Sequence, residues 1–279
     1  MLKGQELSTW LSRAFDRRPR SVGLALIGGA VRGAAHVGVL QVLEREGIRP
    51  DVVVGTSAGA LVGACYAAGV PIAEISQLLS GLRWPKLARL AWNNRLSLFD
   101  TMPLEAFVQA TIGLQTFDDL PRRFAAVACD IVTGKRVTLR SGGVARAVRA
   151  SSAIPGLFPP VEIDGRMLVD GGVVDNLPVD VARELGADYV IAVDLWPPPS
   201  GSRRPENLFD VLIAAAGLWS HANHPDPATI DCYILPEIGE FRAWDFDAVP
   251  SLEAYGRAAA ERVIVRLKEE LGMPAHAAV

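Results

Sequence analysis

The chain's clearest provision for chemistry is the pentapeptide Gly55-Thr-Ser57-Ala-Gly59, set between the apolar run Asp51 to Val54 and the helix-forming stretch Gly59 to Ala68. Glycines two residues either side of a serine let the backbone fold sharply between a strand and a helix, which thrusts the hydroxyl out at the sheet's carboxyl edge. Ser57 is therefore the candidate nucleophile. A second loop, Gly28-Gly29-Ala30-Val31-Arg32-Gly33, follows one apolar run and opens a helix. A dinucleotide fingerprint would need glycine where Ala30 stands, and Asp51, the acid at about the right distance, begins the next strand instead of ending it. The loop reads better as an oxyanion hole, whose successive N–H groups near Gly29 and Ala30 face the charge that develops when Ser57 attacks an ester carbonyl. Arg32 then either braces the loop or meets an anionic head group. A third motif, Asp170-Gly171-Gly172, follows the run Arg166 to Val169. A carboxylate beside two glycines can approach a serine closely and take its proton, so Asp170 is the candidate base.

Other reactive side chains have plainer readings. His36, three residues after Gly33, reads as a packed helix-end residue, and Asp130 as a cap for the turn after its strand. A Ser-Asp-His triad is the competing mechanism, because Ser57, Asp170 and His221 or His224 occur in that chain order. That order recurs by chance, and an elbow after only the second strand is early for a triad hydrolase. No His, Asp and Glu cluster has metal-ligand spacing, so neither a metal nor an organic cofactor is expected.

The elements that must position these groups are legible in the apolar pattern. Val22–Ile27, Asp51–Val54, Phe124–Cys129 and Tyr189–Asp194 read as buried strands. Gly33–Glu46 reads as a helix with Val37, Leu40 and Leu43 on one face, ended by Gly47 with Pro50 beyond, and Gly59–Ala68 reads as a second helix. Asp164-Gly165 between Val161–Ile163 and Arg166–Val169 predicts a two-residue hairpin turn. Strands alternating with helices predict an α/β fold with a mainly parallel sheet flanked by helices.

Taken together, the segments GGAVRG followed by AHVGVL, then GTSAG, RASSAIPGLFPPV and LVDGGVVDNLP resemble the patatin-like phospholipases, in particular their stand-alone bacterial members. The resemblance runs from about Ser21 to Leu195 and is loose beyond. It implies a three-layer patatin-like fold and a serine acyl hydrolase acting on fatty-acyl esters of lipids. It also implies that Ser57 and Asp170 form a catalytic dyad and that Gly28 to Gly33 form the oxyanion hole. Ala30 departs from the pattern, standing where the family usually has a third consecutive glycine, so the backbone there must accept a Cβ. A catalytically weak lipid-binding module on the same fold is the alternative of a different class.

Composition narrows the setting. The 279 residues, 50% of them hydrophobic, suffice for one large core, and 28 basic against 31 acidic side chains leave a charge of −3, which excludes a general nucleic-acid binder. Three widely spaced cysteines, Cys65, Cys129 and Cys232, form no disulfide framework, and residues 1–20 hold no unbroken apolar signal, so a cytoplasmic protein is expected. The uncharged stretch Val52–Ala73 is punctuated by glycines, Thr56, Ser57 and Pro71, which suits a strand, turn and buried helix better than a membrane span. Residues 1–20, with Trp10, Leu11 and Phe15 among Arg13, Arg17, Arg18 and Arg20, read as an amphipathic extension to a catalytic domain over 21–279. Leu82–Phe99 holds Arg83, Lys86, Arg89 and Arg95 among Trp84, Trp92 and Phe99 with no acid. That pattern predicts either peripheral membrane contact through a face or lid, or a packed helix with solvated charges.

Overall fold

Val-, Ala- and Leu-rich runs that are buried on both faces pair side by side, and their order sets the architecture of the chain. The computed structural model describes residues 21–91, 95–196, 204–206, 208–238, 241–242 and 244–274. In chain order the strands are β1 (Val22–Leu26), β2 (Val52–Thr56), β3 (Arg89–Leu90), β4 (Phe99–Asp100), β5 (Arg123–Asp130), β6 (Lys135–Leu139), β7 (Val161–Ile163), β8 (Arg166–Asp170), β9 (Tyr189–Val193) and β10 (Cys232–Ile234). The helices are α1 (Ala34–Arg45), α2 (Ala58–Ala67), α3 (Ile72–Ser80), α4 (Trp84–Leu87), α5 (Met102–Ile112), α6 (Val144–Ser151), α7 (Val179–Glu184), α8 (Leu208–Ala222) and α9 (Val249–Glu270). The main sheet has the order β10-β9-β1-β2-β5-β8-β7, with β6 also paired to β5. The pairs from β10 through β5 are parallel, and β6, β7 and β8 add antiparallel pairs at one side.

Helices cover both faces. On one, Gly63 of α2 lies against Leu26, Val53 and Phe124; on the other, Gly23 of β1 lies against Ala182 and Ala187, in and after α7. This is the expected three-layer α/β arrangement. A long C-terminal helix, not read from the sequence, closes the body: Cβ atoms built on Gly38 of α1 and Gly256 of α9 would each stand 2.0 Å from a carbonyl oxygen of the facing helix, so α1 and α9 cross backbone to backbone. The expected hairpin is present, with φ of 51° at Asp164 and 71° at Gly165 as a right-twisted two-residue turn requires. Among the described residues no helix is long and apolar enough to cross a membrane.

The segment 82–99 is not a single helix. It consists of the one-turn α4 and the two-stranded β3–β4 ribbon, with residues 92–94 outside the described set. Its inward side, Ala88 with half-buried Phe99, joins Leu157 and Phe158 in a small second core that Leu212 of α8 also meets. The stretch 1–20, read as amphipathic, and residues 197–203 of the proline-rich stretch Trp196–Pro205 lie outside the described residues.

Candidate active site

All the candidate groups gather at the carboxyl edge of the parallel strands, where open α/β sheets place their ligands. β2 ends at Thr56, and Ser57 turns the chain with φ 55° and ψ −119° before α2 begins at Ala58. A left-handed φ at a serine costs on the order of 1–3 kcal/mol and survives only where the surroundings enforce it. They do so here by contact: a Cβ on Gly59 would stand 2.2 Å from the Leu26 carbonyl oxygen, and one on Gly55 would stand 2.3 Å from Gly59 itself. The Ser57 N–H donates to Ser151 Oγ at 2.9 Å, and that hydroxyl donates onward to the Val127 carbonyl at 2.6 Å. The elbow glycines therefore serve close approach, while the serine itself carries the unusual dihedral.

Asp170 ends β8, whose antiparallel register sets it opposite Ala128 of β5. Asp170 lines the same recess as Ser57, whose hydroxyl favours the carboxylate form. The Gly172 N–H donates to Asp170 Oδ1 at 2.8 Å. A Cβ on Gly171 would fall 2.4 Å from the Val127 carbonyl oxygen, which is why the motif needs glycine there. Asp170 is only 6% exposed, and burial pushes its carboxyl up from 3.8 to about 6, against the Gly172 bond and the Ser57 hydroxyl, which favour the anion. A base in that range is ionised near neutrality yet more basic than an ordinary carboxylate.

The glycine loop runs from β1 into a 3₁₀ turn over Ala30–Gly33. Gly28 faces the nucleophile: a Cβ there would lie 2.9 Å from Ser57 Cβ and 2.6 Å from Asn176 Oδ1. Its N–H donates to that Asn176 oxygen at 3.0 Å and is thereby taken up. The Arg32 N–H turns back to the Gly29 carbonyl at 3.2 Å, while the amides of Gly29, Ala30 and Val31 have no partner among the described residues. The Ala58 amide, at the start of α2, is likewise unengaged. Ala30 adopts φ 52°, the left-handed region glycine favours, so its Cβ is accommodated at a conformational cost. Arg32 acts as a brace: Nε and Nη2 donate to the Phe241 carbonyl at 3.0 and 2.9 Å, and the guanidinium lies 5.2 Å from the centre of the Trp196 ring.

Two recesses meet at Ser57. One encloses about 790 Å³, part of it open to solvent, and is walled by Leu61, Leu79, Leu87, Leu104, Phe158 and Trp244. The other, of about 460 Å³, is lined by Gly28, Gly29, Asp170, Asn176 and Trp196.

His36 is buried, and its Nε2 donates to the Ile27 carbonyl at 2.8 Å; burial pushes the imidazole down to about 4, so it is a neutral packing residue. Asp130 caps its turn, accepting from the Val132 N–H and the Thr133 hydroxyl. His224 Nε2 meets Asp194 at 2.7 Å; the His221 side chain lies outside what is described, and among the described residues no histidine lines either recess. Sequence reasoning missed Ser151, Asn176 and Trp196, each of which grips the elbow or the glycine loop. Ser151 and Asn176 stand inside motifs already singled out, RASSAIPGLFPPV and LVDGGVVDNLP, which was the available signal.

This arrangement of elbow, glycine loop and aspartate on a mostly parallel sheet is that of the patatin fold. A family model described as patatin-like phospholipase matches residues 24–183, and the chain belongs to that family. It is 36% identical over 207 residues to the patatin-like phospholipase domain-containing protein ZK370.4 of Caenorhabditis elegans, covering 71% of this chain and 15% of that one. It is 35% identical over 217 residues to the lysophospholipase NTE1 of Scheffersomyces stipitis, covering 74% and 13%. The chain thus spans about a seventh of the length of these relatives. Among solved structures, VipD of Legionella pneumophila shares the fold with a TM-score of 0.59 at 16% identity, over 89% of this chain and 67% of that one.

Burial of Asp170 has a consequence for stability. The native state binds its proton more tightly than the unfolded chain, so stability is fully present below about 3.8 and is lost as pH rises through about 6. Asp170→Asn should therefore gain on wild type by on the order of 1–3 kcal/mol at neutral pH, an advantage that shrinks toward about pH 4. Urea unfolding of both proteins across that range checks this; parallel pH dependences would contradict it.

Proposed function

We propose that this protein is a lipid acyl hydrolase of the phospholipase A, lysophospholipase or esterase type, using Ser57 and Asp170 as a dyad. The observation that carries the reading is the placement of Ser57 and the buried Asp170 carboxyl in one recess, next to a second recess walled by leucines and Phe158. Asp170 takes the Ser57 proton as Oγ attacks the acyl carbonyl carbon, and the oxyanion is received by the unengaged amides of Gly29, Ala30 and Val31. Collapse breaks the ester bond, and the leaving alkoxide takes the proton from Asp170. Water, deprotonated by the same carboxylate, then attacks the acyl-enzyme, and collapse frees the fatty acid as Ser57 Oγ leaves and takes the proton back from Asp170. No histidine is required, and the engagement of His224 by Asp194 favours the dyad over the triad.

We further assign residues 21–279 to one catalytic domain in a cytoplasmic protein, a reading supported by three free, buried cysteines, and assign 82–99 to peripheral contact with a lipid surface. Leu90, Leu96 and Leu98 are 60%, 60% and 45% exposed beside exposed Lys86, Arg89 and Arg95. Arg83, by contrast, pairs with Asp247 at 3.3 Å. The same segment's Leu82 and Leu87 line the apolar recess, so lipid met on its outer side has a short path inward.

Ser57→Ala should lower hydrolysis of a chromogenic acyl ester by about a thousandfold or more while preserving the fold. Turnover at the wild-type rate would remove Ser57 from the mechanism. Replacing Lys86, Arg89 and Arg95 together with glutamine should weaken co-sedimentation with anionic vesicles by on the order of tenfold or more, at about 1 kcal/mol per cation, and leave soluble-ester hydrolysis unchanged. Equal vesicle binding by both proteins would return the segment to a solvated face.

A further inference from the structure

The glycine loop can hold an oxyanion only if its unengaged amides keep their places, yet Ala30 stands at φ 52°, a strained position for a residue with a Cβ. What fixes the loop arrives from the strand beside β1. β9 ends at Val193, and Asp194 follows, 1% exposed, its N–H given to the Ile234 carbonyl of β10 at 2.9 Å. Its carboxylate accepts from three donors: the Trp196 N–H at 2.9 Å, His224 Nε2 at 2.7 Å and the Tyr233 hydroxyl. Held in this way, the Trp196 indole N–H donates to the Gly28 carbonyl at 2.8 Å. The Gly28 residue is thereby gripped at both ends, its N–H by Asn176 and its carbonyl by Trp196. The indole is itself sandwiched, with the Arg32 guanidinium on it and Gly217 of α8 so close that a Cβ there would lie 2.6 Å from the ring.

We propose that Trp196 is a positioning residue for the oxyanion loop, aimed by the buried Asp194 carboxylate and acting through the Gly28 carbonyl. The proposal rests on the dyad reading, since an oxyanion forms at this loop only if Ser57 is the nucleophile. Losing the indole N–H frees one end of the Gly28 residue next to a strained alanine, and the amides shift from where the charge develops. Displacements of about 1 Å in such groups can cost up to about a hundredfold in rate.

Trp196→Phe keeps an aromatic ring against Arg32 and Gly217 but removes the N–H. The expected result is a fall of about tenfold or more in kcat and in the rate of Ser57 phosphonylation by a fluorophosphonate, with KM and unfolding temperature little changed. The fall should be the same for acyl esters with small and large leaving groups, because the acyl oxygen is common to all. Wild-type kcat in a folded Trp196→Phe protein overturns the proposal. So does a loss confined to KM or scaling with the leaving group, which would limit Trp196 to its place in the lining of the second recess. Should that variant fail to fold, the same measurements on Tyr233→Phe decide: a smaller but uniform fall in kcat and phosphonylation supports the proposal, and unchanged values overturn it. Activity surviving in Ser57→Ala would instead refute the dyad, an outcome distinct from a Ser57-dependent activity indifferent to Trp196.

Discussion

Removing the Asp170 carboxyl from water is the constraint around which the remaining features arrange themselves. Left solvated, it would be a weak base with no reason to favour one serine. Buried at the end of β8, with one bond from Gly172 and with Ser57 in the same recess, it is pushed to about 6 and has a single hydroxyl to act on. That placement requires an antiparallel strand joined to an otherwise parallel sheet, because β8 must run toward the elbow for Asp170 to meet the register of Ala128. It also requires two glycines after the aspartate and a helix start after the serine. The desolvation cost is offset elsewhere, in a core that buries nearly every residue of α2 and of the central strands.

A second consequence is strain, held in place by contacts from distant parts of the chain. The nucleophile Ser57 and, in the glycine loop, Ala30 both have left-handed φ values. The Ser57 amide is tied to Ser151, the Gly28 residue to Asn176 and Trp196, and Arg32 to Phe241. The bonds to Ser151, Asn176, Trp196 and Phe241 bridge 94, 148, 168 and 209 positions of sequence respectively. The elbow and loop are local motifs, but their geometry depends on the completed fold.

This division explains what was legible beforehand. The elbow was readable because its glycines sit at fixed offsets in one short segment, and the Asp164-Gly165 turn because positive φ at both positions demands that chemistry. The parallel sheet was readable because doubly buried strands are continuous apolar runs. The anchors were not, since nothing local to Asn176 or Trp196 says that its partner is Gly28. The segment 82–99 misled in form, because its apolar residues serve two surfaces at once: Leu82 and Leu87 face the recess, while Leu90 and Leu98 face outward. Arg32 could not be assigned from sequence because its partner, the Phe241 carbonyl, belongs to the region beyond the resemblance. α9 escaped notice for a related reason: its buried Glu253 and Lys268, satisfied by Ser76 and Glu46, interrupt the apolar stripe that would have marked it.

The account stands or falls on Asp170 acting as the base for Ser57, and the pH dependence of fluorophosphonate labelling tests that most directly. The labelling rate of wild type should rise with pH as a single ionisation near the value of about 6 that burial imposes on Asp170. Asp170→Asn should label far more slowly and without that rise. A wild-type rate that is flat from about pH 5 to 8, or an Asp170→Asn protein that keeps the same profile, would contradict the account.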